Sequence, residues 1–197
     1  MHWQPMEVLL KPRLRGLFCA AWTALLLPAC DATPNAQPPQ KQEQEKLAMI
    51  QTPESIASEH RELHEVLARA TAEDGEMAAA AAELEAALAP HFKREEEIAS
   101  PPLGLLPTLA RANATAEMRS VLRLTDALES ELPQMLREHD AIRTATARFR
   151  ATAERLGQED YVRFADTLTA HARQEEEILY PAAILVGRYV ARTAPRE

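Results

Sequence analysis

His91 and Glu95 stand four residues apart, and so do His171 and Glu175. On a helix, side chains at i and i+4 lie one turn apart on the same face. Each pair can therefore offer an imidazole to one metal ion and a carboxylate that reaches toward a second. The segments that carry them, HFKREEE at 91–97 and HARQEEE at 171–177, are nearly the same heptapeptide, with the histidines offset by 80. Two copies facing each other supply two bridging carboxylates, which one helix face cannot. Three more histidines, His60, His64 and His139, lie between residues 52 and 190; His60 and His139 are offset by 79, each with Glu in front of it.

Four helices must bring these residues together, because apolar residues recur at helical spacing around every one of them. The first is expected over about 53–72, capped by Thr52 with Pro53 at its first position, with the seam Ile56, His60, Leu63, Leu67, Ala70 and His64 beside it. The second, about 76–99, has the seam Leu84, Leu88, His91, Glu95, Ile98 and stops at Pro101-Pro102. After an irregular piece and an extra helix near 115–130, the third runs from about Pro133 to Leu156 with the seam Met135, His139, Ile142, Phe149, closed by Gly157. The fourth, about 160–190, has the seam Phe164, Leu168, His171, Glu175, Ile178, with Pro181 loosening it. The second and fourth seams superimpose at an offset of 80. The fold class is therefore all-α, an antiparallel four-helix bundle with an internal two-fold pseudo-repeat of a helix pair.

Five inward imidazoles and two inward carboxylates need partners, since burying such groups alone costs several kcal/mol. A pair of metal ions meets that need. Two octahedral ions offer about twelve ligand positions; five imidazoles, two bridging carboxylates and one oxo or hydroxo bridge leave about one open. The only cysteines are Cys19 and Cys30, both near the N-terminus, so no thiolate is at hand. A nitrogen and oxygen set suits iron, manganese or zinc, and bridged carboxylates favour a non-haem di-iron centre. The Glu-x-x-His order of ferritin-like bundles is absent.

Other residues near these motifs have plainer readings. Glu96, Glu97, Glu176 and Glu177 read as solvated charges, with Lys93–Glu97 and Arg173–Glu177 as i,i+4 pairs. Glu59 and Glu138 are exposed, or orient an imidazole from behind. Tyr180, nine residues past His171, falls on the opposite side of a regular helix and reads as packing. Phe149 and Phe164 are core residues first and walls of a ligand pocket second.

The elements EHREL at 59–63, HFKREEEI at 91–98, EHDAI at 138–142 and HARQEEEILYP at 171–181 resemble the hemerythrin-like, or HHE cation-binding, family over about 52–190. The resemblance implies a four-helix bundle with a non-haem di-iron site that binds dioxygen or related small ligands. It also implies that His60, His91, Glu95, His139, His171 and Glu175 are ligands. The invertebrate oxygen carriers of the family have a His-x3-His helix third in the bundle. Here His60 and His64 form such a pair on the first helix, where the pseudo-symmetry lets it serve as a mirror, so His64 joins the expected set. The leading expectation is a dioxygen binder for storage, delivery or sensing. The alternatives are a di-iron redox enzyme acting on peroxide or nitric oxide, or in iron–sulfur repair, and a structural or interaction bundle.

The ends carry an address. Residues 1–30 read as an export signal: Lys11, Arg13 and Arg15 precede an uncharged apolar run from Gly16 to Leu27 and then LPAC. Leu27, Ala29 and Cys30 resemble a bacterial lipobox, from which Pro28 departs. The run is short of the roughly 20 residues of a membrane span. The expected location is the periplasmic or other extracytoplasmic face, with a lipid anchor on Cys30 as the one membrane link. Residues 31–51, rich in Pro and Gln, read as a tether, 52–190 as the domain and 191–197 as a tail. With the signal's three basic residues and one acidic residue set aside, the net charge of −8 becomes −10, which argues against nucleic acid as a partner.

Overall fold

The structure, a computed structural model, describes residues 50–196. The export signal, the lipobox and nearly all of the tether therefore lie outside the described residues. Helix α1 spans Glu54–Thr71 and α2 Gly75–Ile98. A short α3, Leu106–Leu109, sits between 3-10 turns at Pro101–Leu105 and Glu117–Val121. Helix α4 spans Leu122–Leu156 and α5 Glu159–Gln174; a π-helical turn, Glu175–Leu179, joins α5 to α6, Tyr180–Thr193. Helix α1 packs on α2, α2 on α4, α4 on α5 and α5 on α1, which closes the four-membered ring of a bundle. Among the described residues no helix is long and apolar enough to cross a membrane.

The core has two ends. Leu63, Leu67, Leu84, Leu88, Phe92, Ile142, Phe149, Phe164 and Leu168 fill one, where Phe149 and Phe164 meet edge to face at 5.4 Å. Ile98, Leu103, Leu128, Met135, Tyr180 and Ala183 fill the other, with a further cluster of Leu105, Val121, Leu124, Val186 and Val190. Ile50 is buried in that cluster, so the packed body reaches back into the stretch expected to be tether, and Ala194 is buried there too. Gly104 lies under this strand of chain: a Cβ there would stand 2.0 Å from the carbonyl oxygen of Gln51.

Several expected boundaries move. The N-cap of α1 is Pro53 itself, whose carbonyl accepts from the amides of Ile56 and Ala57, and Thr52 makes no capping bond. The extra helix near 115–130 does not stand apart. Its second half is the start of α4, a 35-residue helix that runs through Pro133. Pro133 is exposed, so its ring and the carbonyl it leaves unbonded face water, while Leu124, Thr125 and Leu128 on the other side are buried. Gly157 closes α4 as expected, in the left-handed region at φ 68°, with the Gln158 amide donating to the carbonyl of Ala153 at 2.9 Å.

Pro181 acts through the π turn before it. Proline cannot donate to the preceding turn and its ring crowds the carbonyl four residues back; a wider turn relieves both. One residue is thereby absorbed without advancing the helix phase. Ile178, expected on the inward seam, is turned out to 58% exposure. Tyr180 is turned in to 2%. On a regular helix Tyr180 would stand about 180° from His171; counted with one residue absorbed, the angle is about 80°.

Candidate metal centre

Between the two ends of the core, His60 of α1, His91 and Glu95 of α2, His139 of α4, His171 of α5 and Glu175 of the π turn converge, each at most 3% exposed. They form two groups, His60/Glu95/His171/Glu175 and His91/Glu95/His139/Glu175, and within each the ligating atoms lie within 4.8 Å of one another. The two carboxylates belong to both groups. Glu175 turns Oε1 to His171 Nε2 at 2.7 Å and His60 Nε2 at 3.5 Å, and Oε2 to His139 Nε2 at 3.3 Å. Glu95 turns Oε2 to His60 Nε2 at 3.9 Å and Oε1 to His91 Nε2 at 3.6 Å. Different oxygens of one carboxylate serve different groups, which is the arrangement of a bridge.

Behind each imidazole stands a further carboxylate. The outer Nδ1 of His91 faces Glu138 at 2.9 Å, that of His139 faces Glu176 at 2.7 Å, that of His171 faces Glu59 at 3.2 Å and that of His60 faces Glu96 at 3.5 Å. The pattern is crossed: the Glu that precedes His60 serves His171, and the Glu that precedes His139 serves His91. An Nδ1–H donated outward leaves the Nε2 lone pair facing inward, the tautomer a metal ligand needs. Glu138 is itself held by Gln134 at 2.8 Å and Glu176 by Arg143 at 2.6 Å. Glu176 thus does more than meet water, Glu96 is 54% exposed and faces His60 without a hydrogen bond, and Glu177 pairs outward with Arg173 at 2.7 Å. Glu97 pairs with Arg94 at 2.9 Å in place of the expected Lys93.

Electrostatics at the centre reflect two carboxylates held close together in a dry interior. Burial, then the neighbouring Glu175 charge, push the Glu95 carboxyl well above the usual range. Burial pushes Glu175 the same way, but the imidazoles of His139, His171 and His60 outweigh it and hold that carboxyl well below. For Glu138 and Glu176 burial again raises, and the bonds from His91 and Gln134, or from Arg143 and His139, leave both lowered. Burial, the first cause, lowers His91; at His171 the Glu175 carboxylate overrides burial and raises it.

These residues fit a cation. Both ring nitrogens of His60, Oε2 of Glu95 and Nε2 of His171 are buried with no hydrogen-bond partner. Glu175 Oε1 is only 2.7 Å from His171 Nε2, yet off the direction a hydrogen bond needs. Three of these atoms, His60 Nε2, Glu95 Oε2 and His171 Nε2, surround one point, each costing about 1–3 kcal/mol if left alone, and one ion accounts for them. The donors are nitrogen and oxygen only, as iron, manganese or zinc would accept.

His64 stands outside both groups. It is exposed, with its ring edge-on to Phe92 at 5.1 Å, while the other contacts of Phe92 are His60, stacked at 4.4 Å, and His171 at 5.7 Å. One turn on from His60 the helix has already rotated that side chain to the surface. The residue that does enter is Tyr180, whose hydroxyl donates to Glu95 and lies 3.4 Å from His91 Nε2 and 3.3 Å from His139 Nε2. Its ring stacks on His139 at 5.7 Å. The one sequence signal that could have found it is Pro181, whose ring is relieved by the wider turn before it.

Residues 52–183 match the hemerythrin HHE cation binding domain family. No curated protein and no solved structure matches the chain.

Proposed function

The chain belongs to the hemerythrin HHE cation-binding domain family, and from that premise we propose that it holds two iron ions and works on dioxygen or its reduced relative, peroxide. The observation that carries this is the pair of carboxylates, Glu95 and Glu175, each turning separate oxygens to two groups of imidazoles. Iron bound there would supply one-electron steps and open positions for small oxygen ligands. The chain supplies the rest. Glu138 and Glu176 hold the imidazoles of His91 and His139 in the ligating tautomer, Glu59 and Glu96 face those of His171 and His60, Phe92 closes the side of His60 and His171, and the apolar ends of the core keep bulk water out. The test is iron analysis of full-length protein purified from cells grown without metal supplement, then visible spectra under dioxygen and under peroxide. About two iron ions per chain support the proposal; fewer than about 0.2, with no rise in melting temperature on iron addition, reject it.

One observation favours peroxide over reversible dioxygen storage. With His64 outside the set, the His60/His171 group has four donors, two of them shared, so more than one position is open to solvent ligands. Steady consumption of peroxide in the presence of an electron donor is then expected, and an absorption that appears under dioxygen and vanishes on its removal, with no peroxide consumption, would favour the carrier. Export and a lipid anchor on Cys30 belong to the same proposal: Cys30→Ala should release the protein from the membrane fraction.

A further inference from the structure

Near-symmetry in sequence conceals an asymmetry in space. Tyr180 stands with His91 and His139 and has no counterpart beside His60 and His171. The carboxylates behind His91 and His139 lie at 2.9 and 2.7 Å and are themselves anchored by Gln134 and Arg143. Those behind His171 and His60 lie farther off, at 3.2 and 3.5 Å, and Glu96 is 54% exposed. A surface cleft of about 640 Å³ is lined by His60, Arg61, His64, Glu65 and Glu96. His60 lines that cleft although it is 2% exposed and neither of its nitrogens has a hydrogen-bond partner. A second groove, of about 350 Å³, is lined by the buried Tyr180 ring, by Leu132, Leu136, Ile184 and Leu185, and by Glu176 and Arg188, but the Glu176 carboxylate there is already tied to His139 and Arg143.

We propose that Tyr180 is a metal ligand that fixes one ion: the position set by His91, His139 and the Tyr180 oxygen retains its ion, and the one between His60 and His171 loads and exchanges its ion through the cleft bearing His64 and Glu96. This rests on the two-iron reading above. The retained position has five donors, two imidazoles, two shared carboxylates and the phenol oxygen, and the proton that Tyr180 now shares with Glu95 leaves to solvent when that oxygen takes the ion. The exchanging position has four donors and less firmly held imidazoles. The 2.8 Å contact between the Nε2 atoms of His91 and His139 must open for the retained ion to enter; with both Nδ1–H groups donated outward it requires one extra proton on the pair, and that proton leaves to solvent as the ion takes both lone pairs. His64, whose place at the surface keeps it out of the centre, stands at the mouth as a transient nitrogen donor with Glu65 and Glu96 beside it.

The full-length protein is loaded with iron(II) without air, oxidised to iron(III), and mixed with a soluble hydroxamate chelator while iron release and visible absorption are followed. Two phases of one iron each are expected, differing in rate by about tenfold or more, with the phenolate-to-iron(III) absorption decaying only in the slow phase. Tyr180→Phe should abolish that absorption and speed the slow phase. Glu176→Gln, which keeps the phenol, should also speed the slow phase and spare the fast one, so the proposal stays testable if the Phe variant does not fold. His64→Ala should change the fast phase alone. Release of both ions in a single phase, absorption lost with the fast ion, or a His64 effect on the slow ion would each overturn the proposal. A chain that takes up no iron fails the two-iron reading and this one with it, whereas two equal ions fail only this one.

Discussion

The hydroxyl of Tyr180 on α6 donates to the carboxylate of Glu95 on α2, inside the ring of histidines and across the bundle from its own helix. That bond exists because a π turn absorbs one residue between Glu175 and Leu179. It also sets the chemistry of the metal-free state, where a buried Glu95 needs a donor.

Tyr180→Phe in the metal-free protein should therefore cost about 1–3 kcal/mol, the penalty for a buried polar group stripped of its partner. Urea unfolding of both proteins after exhaustive chelation measures it, and an unchanged midpoint would mean that water replaces the phenol.

Proton linkage gives the metal-free protein a stability maximum on the acid side of neutrality. Glu138, Glu175 and Glu176 have lowered folded values, so their contribution is present above the ordinary carboxylate value of about 4.5 and lost as pH falls through the folded values. Glu95 is raised, so its contribution is fully present below about 4.5 and lost as pH climbs through its folded value, by at most about 1.4 kcal/mol per pH unit. Glu95→Gln, which mimics the protonated form, should make the metal-free chain more stable than the parent at pH 7. Melting curves across pH 3–8 show whether the alkaline limb disappears in that variant.

Iron content should separate shared from unshared ligands. Glu95→Ala removes a carboxylate common to both groups and should leave less than about one iron per chain, whereas His60→Ala should spare the His91/His139 position and leave about one. His64→Ala should leave about two, as a residue outside both groups. Elemental analysis of the three variants, purified alike, decides among them.

Away from the centre, Gly187 packs against Thr125, and a Cβ at 187 would stand 2.1 Å from Thr125 Oγ1 and 2.6 Å from its Cβ. Gly187→Ala should cost about 1–3 kcal/mol through overpacking, a fall of several degrees in melting temperature, with iron content unchanged. Thr125→Ala in the same chain should recover part of that loss.

The bundle and six inward residues were legible because their signal is periodic within a helix: His91 with Glu95 and His171 with Glu175 at i,i+4, and seams that repeat at an offset of 80. What periodicity could not show lies between helices or depends on a break in the period. Glu96 and Glu176 look outward on their own helices, and only the placing of α1 and α4 puts His60 and His139 within reach. Tyr180 and Ile178 exchange faces because the π turn interrupts the 100° step on which both expectations rested. His64 shows the opposite case: symmetry with a His-x3-His helix points to the centre, while α1 leaves that side chain at the surface, outside both groups. Pro133 reads as a helix start because a first-turn proline loses no hydrogen bond, but an exposed ring with a buried apolar face opposite lets α4 continue.

The crossed arrangement of the histidines has one more consequence. Each group takes one imidazole from the first helix pair and one from the second, His60 with His171 and His91 with His139, and both Glu95 and Glu175 serve each group. Neither half of the chain holds a complete group, so an ion bound in either group would tie the two halves together. A protease cut between Leu109 and Glu117, in the stretch that links the halves, should then leave two fragments that travel together while iron is bound.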